Sequence, residues 1–356
     1  MSSTGQGRDP VIARPRPTLE EVAALAGVGR GTVSRVINGS PRVSERARAA
    51  VEQAVAELGY VPNRAARTLV TSRADAIALV VPEAQTRLFS EPYFADIISG
   101  VSAELADTEM QLLLVLVRNQ RERDRLSAYL RAQRVDGVLL VAVHRDDPLP
   151  GVLEQLGIPA VLAGRRGEQE PLSYVAADNA GGARMAVRHL LRRGCRRIAT
   201  ITGPLDHEGA EARLAGYRAA LVEGLGGARD GRARERPVEL VAVADFTEQG
   251  GRLAMAELLQ RDPGLDAVFC ASDVMAAGAL QVLRAAGRRV PEEVALVGFD
   301  DSIVARHTEP PLTSVRQPTE EMGRAMARLL LDDIAGPGRA RRQLVLATEL
   351  VTRDSA

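Results

Sequence analysis

Arg30, Gly31, Ser34, Arg35 and Asn38 are spaced so that, at about 100° per residue, they fall within one helical arc of about 140°. A short helix with a bare polar, arginine-bearing face offers charge-assisted hydrogen bonds to a polyanion. Val33, Val36 and Ile37 fall on the opposite side, where they can pack against another element. That element precedes them. Thr18 followed three residues later by Glu21 is a capping box, so a helix begins there with Leu19, Val22, Ala23 and Ala26 as its apolar stripe. Gly27-Val28-Gly29 breaks it, and the second helix runs from Arg30 to Asn38. Two short helices joined by a glycine turn read as a helix-turn-helix, the alternative being an ordinary helical hairpin with solvated arginines.

A third helix is expected from Ser44, its N-cap, to Leu58, with Gly59 as the stop and Val51, Val55 and Leu58 closing a small core. Next comes YVPNRAARTLVTSR, where Pro62 suits a first helical turn; Arg64, Arg67 and Thr68 share one side and Ala65, Ala66 and Leu69 the other. So short a helix needs a partner helix, DNA, or both. The expected organisation is a disordered tail over 1–16, a DNA-binding head over 17–61, a hinge helix over 62–73 and a two-lobed body over 74–356.

Charge supports this division. The 356 residues carry no net charge, yet residues 1–73 hold 11 arginines against 6 acids and so carry +5, leaving −5 on the rest. A basic head on an acidic body points to nucleic acid as a partner of the head alone. The two cysteines, Cys195 and Cys270, lack metal-ligand or redox spacing and read as core residues of a reduced compartment. With no signal-like apolar leader and no run of 18 apolar residues, a cytoplasmic protein with no membrane partner is expected.

From residue 76 the pattern is βαβ alternation. AIALVVP, QLLLVLV, GVLLVA and AVLA form one series; RRIATIT, VELVAV, DAVFC and VALVGF form a second. Short continuous Val/Leu/Ile runs mean strands buried on both faces, hence an α/β body of two lobes with doubly wound parallel sheets. Ligands of such sheets bind beyond the carboxyl ends of the strands.

At this point the chain resembles the lactose-repressor (LacI) family of transcription regulators over roughly residues 18–353. The carrying motifs, in order, are TLEEVAALAGV with TVSRVIN, YVPNRAARTL, ITGP with RLAGYRAAL, ASDVMAAGAL, VGFDDS and PPLTSVRQP. The resemblance implies a head that binds double-stranded, pseudo-palindromic operator DNA and a periplasmic-binding-protein-like body whose small-molecule effector, a mono- or disaccharide, sits between the lobes. It places Arg30, Gly31 and Arg35 against base edges in the major groove, where a guanidinium fork pairs with guanine O6 and N7. Thr18, Thr32, Ser34 and Asn38 become candidates for the phosphate backbone, and Asn63 for a DNA contact; Thr18 serves equally as a helix cap. Leu69 matches the hinge-helix leucine that wedges into the minor groove, or packs on its dimer mate, with Arg67 beside it. Gly31 and Gly29 depart from the side-chain reader and the hydroxyl residue usual at their positions.

For the effector, the resemblance carries over Tyr93, Phe94, Arg165, Arg213, Phe246, Ser272, Asp273, Asp300 and Gln317. Aromatic faces suit sugar C–H surfaces, and Arg, Asp and Gln supply directional donors and acceptors. Arg213 and Asp300 could instead form an interlobe ion pair, and Asp301 reads as a strand-end cap. Ser272 and Gly164 depart from the usual Asn and Asp. The implied assembly is a homodimer, with helices around 95–107 and 274–286 as the expected faces and no coiled-coil tail after Glu349-Leu350-Val351. Whether the effector induces or co-represses stays open.

Enzyme readings fare poorly. His144, His189, His207 and His307 lack metal-ligand spacing, and no nucleophile elbow, P-loop or dinucleotide fingerprint is present. No cofactor or metal is expected. The alternative is a cytoplasmic sugar-binding or sugar-processing protein of the same body fold, with Asp300 and Glu91 as a glycosidase's acids.

Overall fold

The computed structural model describes residues 17–37, 40–61, 73–83, 88, 90–167, 169–225, 239–336, 338 and 340–356. The chain falls into two compact units divided between Ala74 and Asp75.

In the first unit, α1 (Leu19–Ala26) opens on the capping box. The Thr18 hydroxyl accepts from the Glu21 amide at 3.3 Å, and the Glu21 carboxylate accepts from the Thr18 amide at 2.6 Å. The helix stops at Gly27, whose φ of 64° lies in the left-handed region that glycine enters without penalty. α2 (Arg30–Ile37) and α3 (Glu45–Leu58) follow, α3 capped by Ser44 and ended by Gly59. Val22, Val33 and Val51 are wholly buried between the three helices, joined by Ala54 and Tyr60. Each valine so buried contributes about 1.5–3 kcal/mol. The sequence pattern had not shown that Tyr60 would close this core.

The second unit holds two sheets of six strands. The first lobe has the order β11-β5-β4-β3-β1-β2, from β1 (Ala76–Val81), β2 (Gln111–Leu116), β3 (Gly137–Leu140), β4 (Ala160–Ala163), β5 (Ser173–Ala177) and β11 (Gln343–Leu346). The second has the order β12-β10-β9-β8-β6-β7, from β6 (Ile198–Thr202), β7 (Leu240–Val243), β8 (Ala267–Cys270), β9 (Ala295–Asp300), β10 (Thr313–Arg316) and β12 (Glu349–Val351). Every pairing is parallel except β12 on β10. Strands such as AIALVV are buried at every position, as parallel strands covered on both faces must be.

Helices α4 (Pro92–Leu105), α5 (Gln120–Arg131), α6 (Leu149–Leu156) and α12 (Thr319–Ala335) belong to the first lobe. The second lobe takes α7 (Asn179–Arg192), α8 (Glu208–Leu225), α9 (Glu248–Arg261), α10 (Asp273–Ala285) and α11 (Ile303–His307). The chain therefore passes between lobes three times, at 177–179, 316–319 and 346–349. Thr348 donates its hydroxyl to the Asp178 carbonyl at 3.3 Å, tying the third crossing to the first.

The small residues that suggested dimer faces are largely used inside the chain. A Cβ on Gly100 of α4 would lie 2.0 Å from the Glu320 carbonyl oxygen of α12, and one on Gly278 would lie 2.1 Å from that of Glu248 in α9. α10 is buried over most of its length by its own chain, whereas α4 keeps Ala95, Ser99 and Ala103 exposed. Cys270 is a wholly buried core residue and Cys195 packs at the core's edge; both are free thiols.

Candidate functional site

In the head, α2 presents Arg30, Gly31 and Arg35 to solvent while Val33 and Val36 are buried, with Thr32 and Ser34 half-buried between them. Arg30 pairs with Glu20 at 3.0 Å, and Arg35 donates Nε to the Gly31 carbonyl at 3.0 Å. Both guanidinium groups thus rest on weak, exposed partners that a phosphate or base edge can replace at little cost. Gly29 and Gly31 have no positive φ, and a Cβ on either meets nothing within 4 Å. Neither backbone nor packing calls for glycine there, so what these positions save is room outside the fold. Thr18 is committed to its cap. Asn38, Asn63, Arg67 and Leu69 lie outside the described residues.

In the body, a narrow cleft of about 50 Å³ lies where the carboxyl ends of strands from both sheets meet. The first lobe contributes Glu91, Tyr93, Ala142, Ala163 and Met322. The second contributes His207, Arg213, Phe246 and Asp300, with Ala177, Asn179 and Gln317 coming from the crossings. Three lining residues, Ala142, Phe246 and Asp300, hold positive φ values of 52°, 64° and 113° without being glycine. Such conformations cost of order 1–3 kcal/mol each and cluster where a fold is bent to a task. A further groove lies outside the first lobe, between β2 and α5, away from these strand ends.

Arg213 is the centre of the cleft. Its Nε donates to Asn179 at 2.9 Å, one terminal nitrogen to the Ala271 carbonyl at 2.5 Å, and the other reaches Gln317 at 3.5 Å. The guanidinium lies 3.7 Å from the centre of the Phe299 ring. Gln317 in turn donates to Asp300 at 2.7 Å, and the carboxylate stands 3.8 Å from Arg213. Burial pushes Asp300 well above the ordinary carboxylate range while Arg213 pulls it back; burial also lowers Arg213, which Asp300 opposes. The pair is not interlobe: α8 and β9 both belong to the second lobe. Phe246 lies over Gly203, where a Cβ would stand 2.2 Å from the ring, and meets His207 edge-on with centroids 5.7 Å apart.

Four residues assigned to the effector by resemblance lie elsewhere. Phe94 points into the first lobe's core and is 1% exposed, the cleft being lined by its neighbour Tyr93. Ser272 caps α10, accepting from the Met275 amide at 3.2 Å. Asp273 is wholly buried, accepting from the Ser314 hydroxyl at 2.6 Å and the Ser302 amide at 2.8 Å; burial raises its pKa to about 7. Arg165 turns across the mouth to Glu208 at 3.2 Å. Gly164 before it has φ +87°, which accounts for the glycine. Asp301 is no strand-end cap: its buried carboxylate accepts from Arg316 at 2.8 Å and Arg353 at 2.5 Å, knotting β9 to β10 and the last residues. Asn179 and His207 line the cleft without having been singled out for it, and Glu91, named only under the glycosidase alternative, lines it too. The signal for Asn179 was its place just past a strand end, hidden because SYVAA is too poor in large apolar residues to read as a strand.

Residues 18–63 match the family described as bacterial regulatory proteins, lacI family, and residues 187–356 match a periplasmic binding protein-like domain. The chain is 55% identical over 344 residues to the HTH-type transcriptional regulator CelR of Thermobifida fusca, covering 96% of this chain and 99% of that protein. This chain belongs to the LacI family. Among solved structures it resembles a transcriptional regulator CelR–cellobiose complex, with a TM-score of 0.74, 53% identity, and coverage of 96% of this chain and 100% of that one. It also resembles the lac repressor dimer bound to operator and an anti-inducer, with a TM-score of 0.81, 27% identity, and coverage of 96% and 99%. As a LacI-family member the protein is a DNA-binding transcriptional regulator, not an enzyme. Among the described residues, no cluster of His, Cys, Asp or Glu is arranged to hold a metal, and no helix is long and apolar enough to cross a membrane.

Proposed function

We propose that the protein is a cytoplasmic, homodimeric repressor that reads a pseudo-palindromic operator through Arg30 and Arg35 and releases or tightens its grip when a cellobiose-like disaccharide enters the cleft. The observation that carries the effector class is the cleft itself, in a chain 53% identical to a regulator solved with cellobiose. Tyr93 and Phe246 offer flat apolar faces for the sugar rings, and Glu91, Asn179, Arg213, Asp300 and Gln317 offer donors and acceptors for their hydroxyls.

The wiring supports a route from sugar to DNA. Arg213 bonds to Asn179 at the first crossing and to Gln317 at the second. A hydroxyl that replaces either partner acts directly on the segments about which the lobes turn. Coupling of this kind is worth about 1–3 kcal/mol, or roughly 5–150-fold in operator affinity.

The test is a fluorescence-anisotropy titration of the full-length protein on DNA from upstream of its own gene, with cellobiose, ribose and a sugar phosphate added separately. Cellobiose alone is expected to change the operator affinity, and the direction of change says whether it induces or co-represses. Equal response to all three, or none to cellobiose, refutes the effector assignment.

A further inference from the structure

Three side-chain pairs cross the mouth of the cleft side by side. His144, beyond β3 in the first lobe, places Nδ1 2.8 Å from Asp206 Oδ2 in the loop before α8 of the second. Arg145 donates to Glu211 at 2.5 Å, and its amide donates to the Asp206 carbonyl at 2.9 Å. Arg165 donates to Glu208 at 3.2 Å. All three partners lie within six residues at the start of α8, the helix that carries Arg213.

His144 differs from the two arginines in that its second ring nitrogen also faces a carboxylate: Nε2 lies 3.3 Å from Glu83 Oε1, beyond β1 in its own lobe. Neutral imidazole has one N–H, so only imidazolium donates to Asp206 and Glu83 together. We propose that the three pairs form a latch that holds the lobes closed over the effector, and that His144 makes the latch proton-operated. The inference rests on the reading that the effector binds in this cleft.

The groups around the ring agree. Glu83 and Asp206 face its two nitrogens, and His207 meets it edge-on with centroids 6.3 Å apart. Arg145 next to it is engaged by Glu211, and Asp147 by Arg123 at 3.0 Å. The Glu83 hydrogen bond raises the His144 pKa above the ordinary 6.5, burial opposes it, and Asp206 raises it further. Opening the lobes removes Asp206 and leaves Glu83, so the closed form holds the proton more tightly than the open one. Closure is therefore favoured most at pH below the open-form pKa, and the added stability is lost as pH rises through the closed-form pKa.

The experiment has two readouts on the full-length protein. Imidazole NMR of the ligand-free protein, with His144 assigned from the His144→Gln variant, is expected to show a midpoint above 6.5 that falls in Asp206→Asn. Calorimetry with cellobiose is expected to show weaker binding at pH 8.5 than at pH 6, by up to about five-fold, as a half-exposed pair supports. In His144→Gln the difference between the two pH values should shrink, leaving only what the raised carboxyls Asp300 and Asp273 contribute. A His144 midpoint indifferent to Asp206→Asn overturns the latch, as does cellobiose binding whose pH dependence is undiminished in His144→Gln. If cellobiose binds at neither pH, the effector assignment fails, and the NMR titration still decides the latch.

Discussion

Replacing Arg213 by methionine tests the centre of the cleft, because the guanidinium is wholly enclosed by partners that have no substitute. Met fills a similar volume, but it withdraws donors from Asn179 and the Ala271 carbonyl and leaves Asp300 with Gln317 alone. Breaking one side of a buried pair costs about 3–5 kcal/mol, chiefly through the carboxylate left behind. That cost depends on pH in a definite direction. Asp300 already holds its proton more tightly in the folded protein than an ordinary aspartate, and losing Arg213 removes the positive charge that opposes this. The folded state then binds more protons than the unfolded state, so stability falls as pH rises, and the loss is greater at pH 8 than at pH 5. Urea unfolding of the full-length protein at both pH values measures it. The double variant Arg213→Met/Asp300→Leu should recover most of the lost stability while still failing to bind cellobiose. A single-variant cost below about 1 kcal/mol, or no recovery in the double, would show that the pair does not govern this site.

Other outcomes follow from the same geometry. Arg35→Ala should leave the thermal unfolding unchanged and relax discrimination at one operator base pair by about 1–3 kcal/mol, measured on a set of single-base operator variants; unchanged discrimination removes Arg35 from the readers. Gly31→Ala should stabilise the head by up to about 1 kcal/mol in calorimetry, since its Cβ meets nothing, yet weaken operator binding by crowding the DNA. Equal or tighter operator binding would show that the room at Gly31 is not used. Gly100→Ala drives a methyl against the Glu320 carbonyl and should lower stability by at least about 1–3 kcal/mol, as overpacking does, with operator specificity unaffected.

The head was legible nearly to the residue because its signals are local. Thr18 and Glu21 cap each other, Gly27 and Gly59 stop helices at left-handed φ, and Val33 and Val36 mark the buried face. The two-lobed body was legible as a class, since runs such as GVLLVA and VALVGF can be buried on both faces only in parallel sheets. What the sequence hid is where the chain goes after each element. Nothing in TEEMGRAMARLLLDDIA says that this helix returns to the first lobe and meets α4 backbone to backbone at Gly100. The cleft suffered from the same limit. Tyr93 and Phe94 are adjacent, but the step of about 100° between neighbours on α4 sends Tyr93 to the cleft and Phe94 to the core. Ser272 and Asp273 carry polar groups past a strand end, as a ligand site requires, yet the helix cap and the Ser302–Ser314 contacts take them up first.

The three crossings between lobes have an evolutionary consequence. The head is one uninterrupted stretch attached at a single point, so recombination can exchange it and hand the protein a new operator without disturbing what the body senses. Neither lobe offers that freedom. Each is assembled from pieces separated by the other, and any cut that transplants one lobe takes fragments of both. New effector specificities therefore arise by point changes around the cleft or by exchange of the body whole, never by exchange of a single lobe.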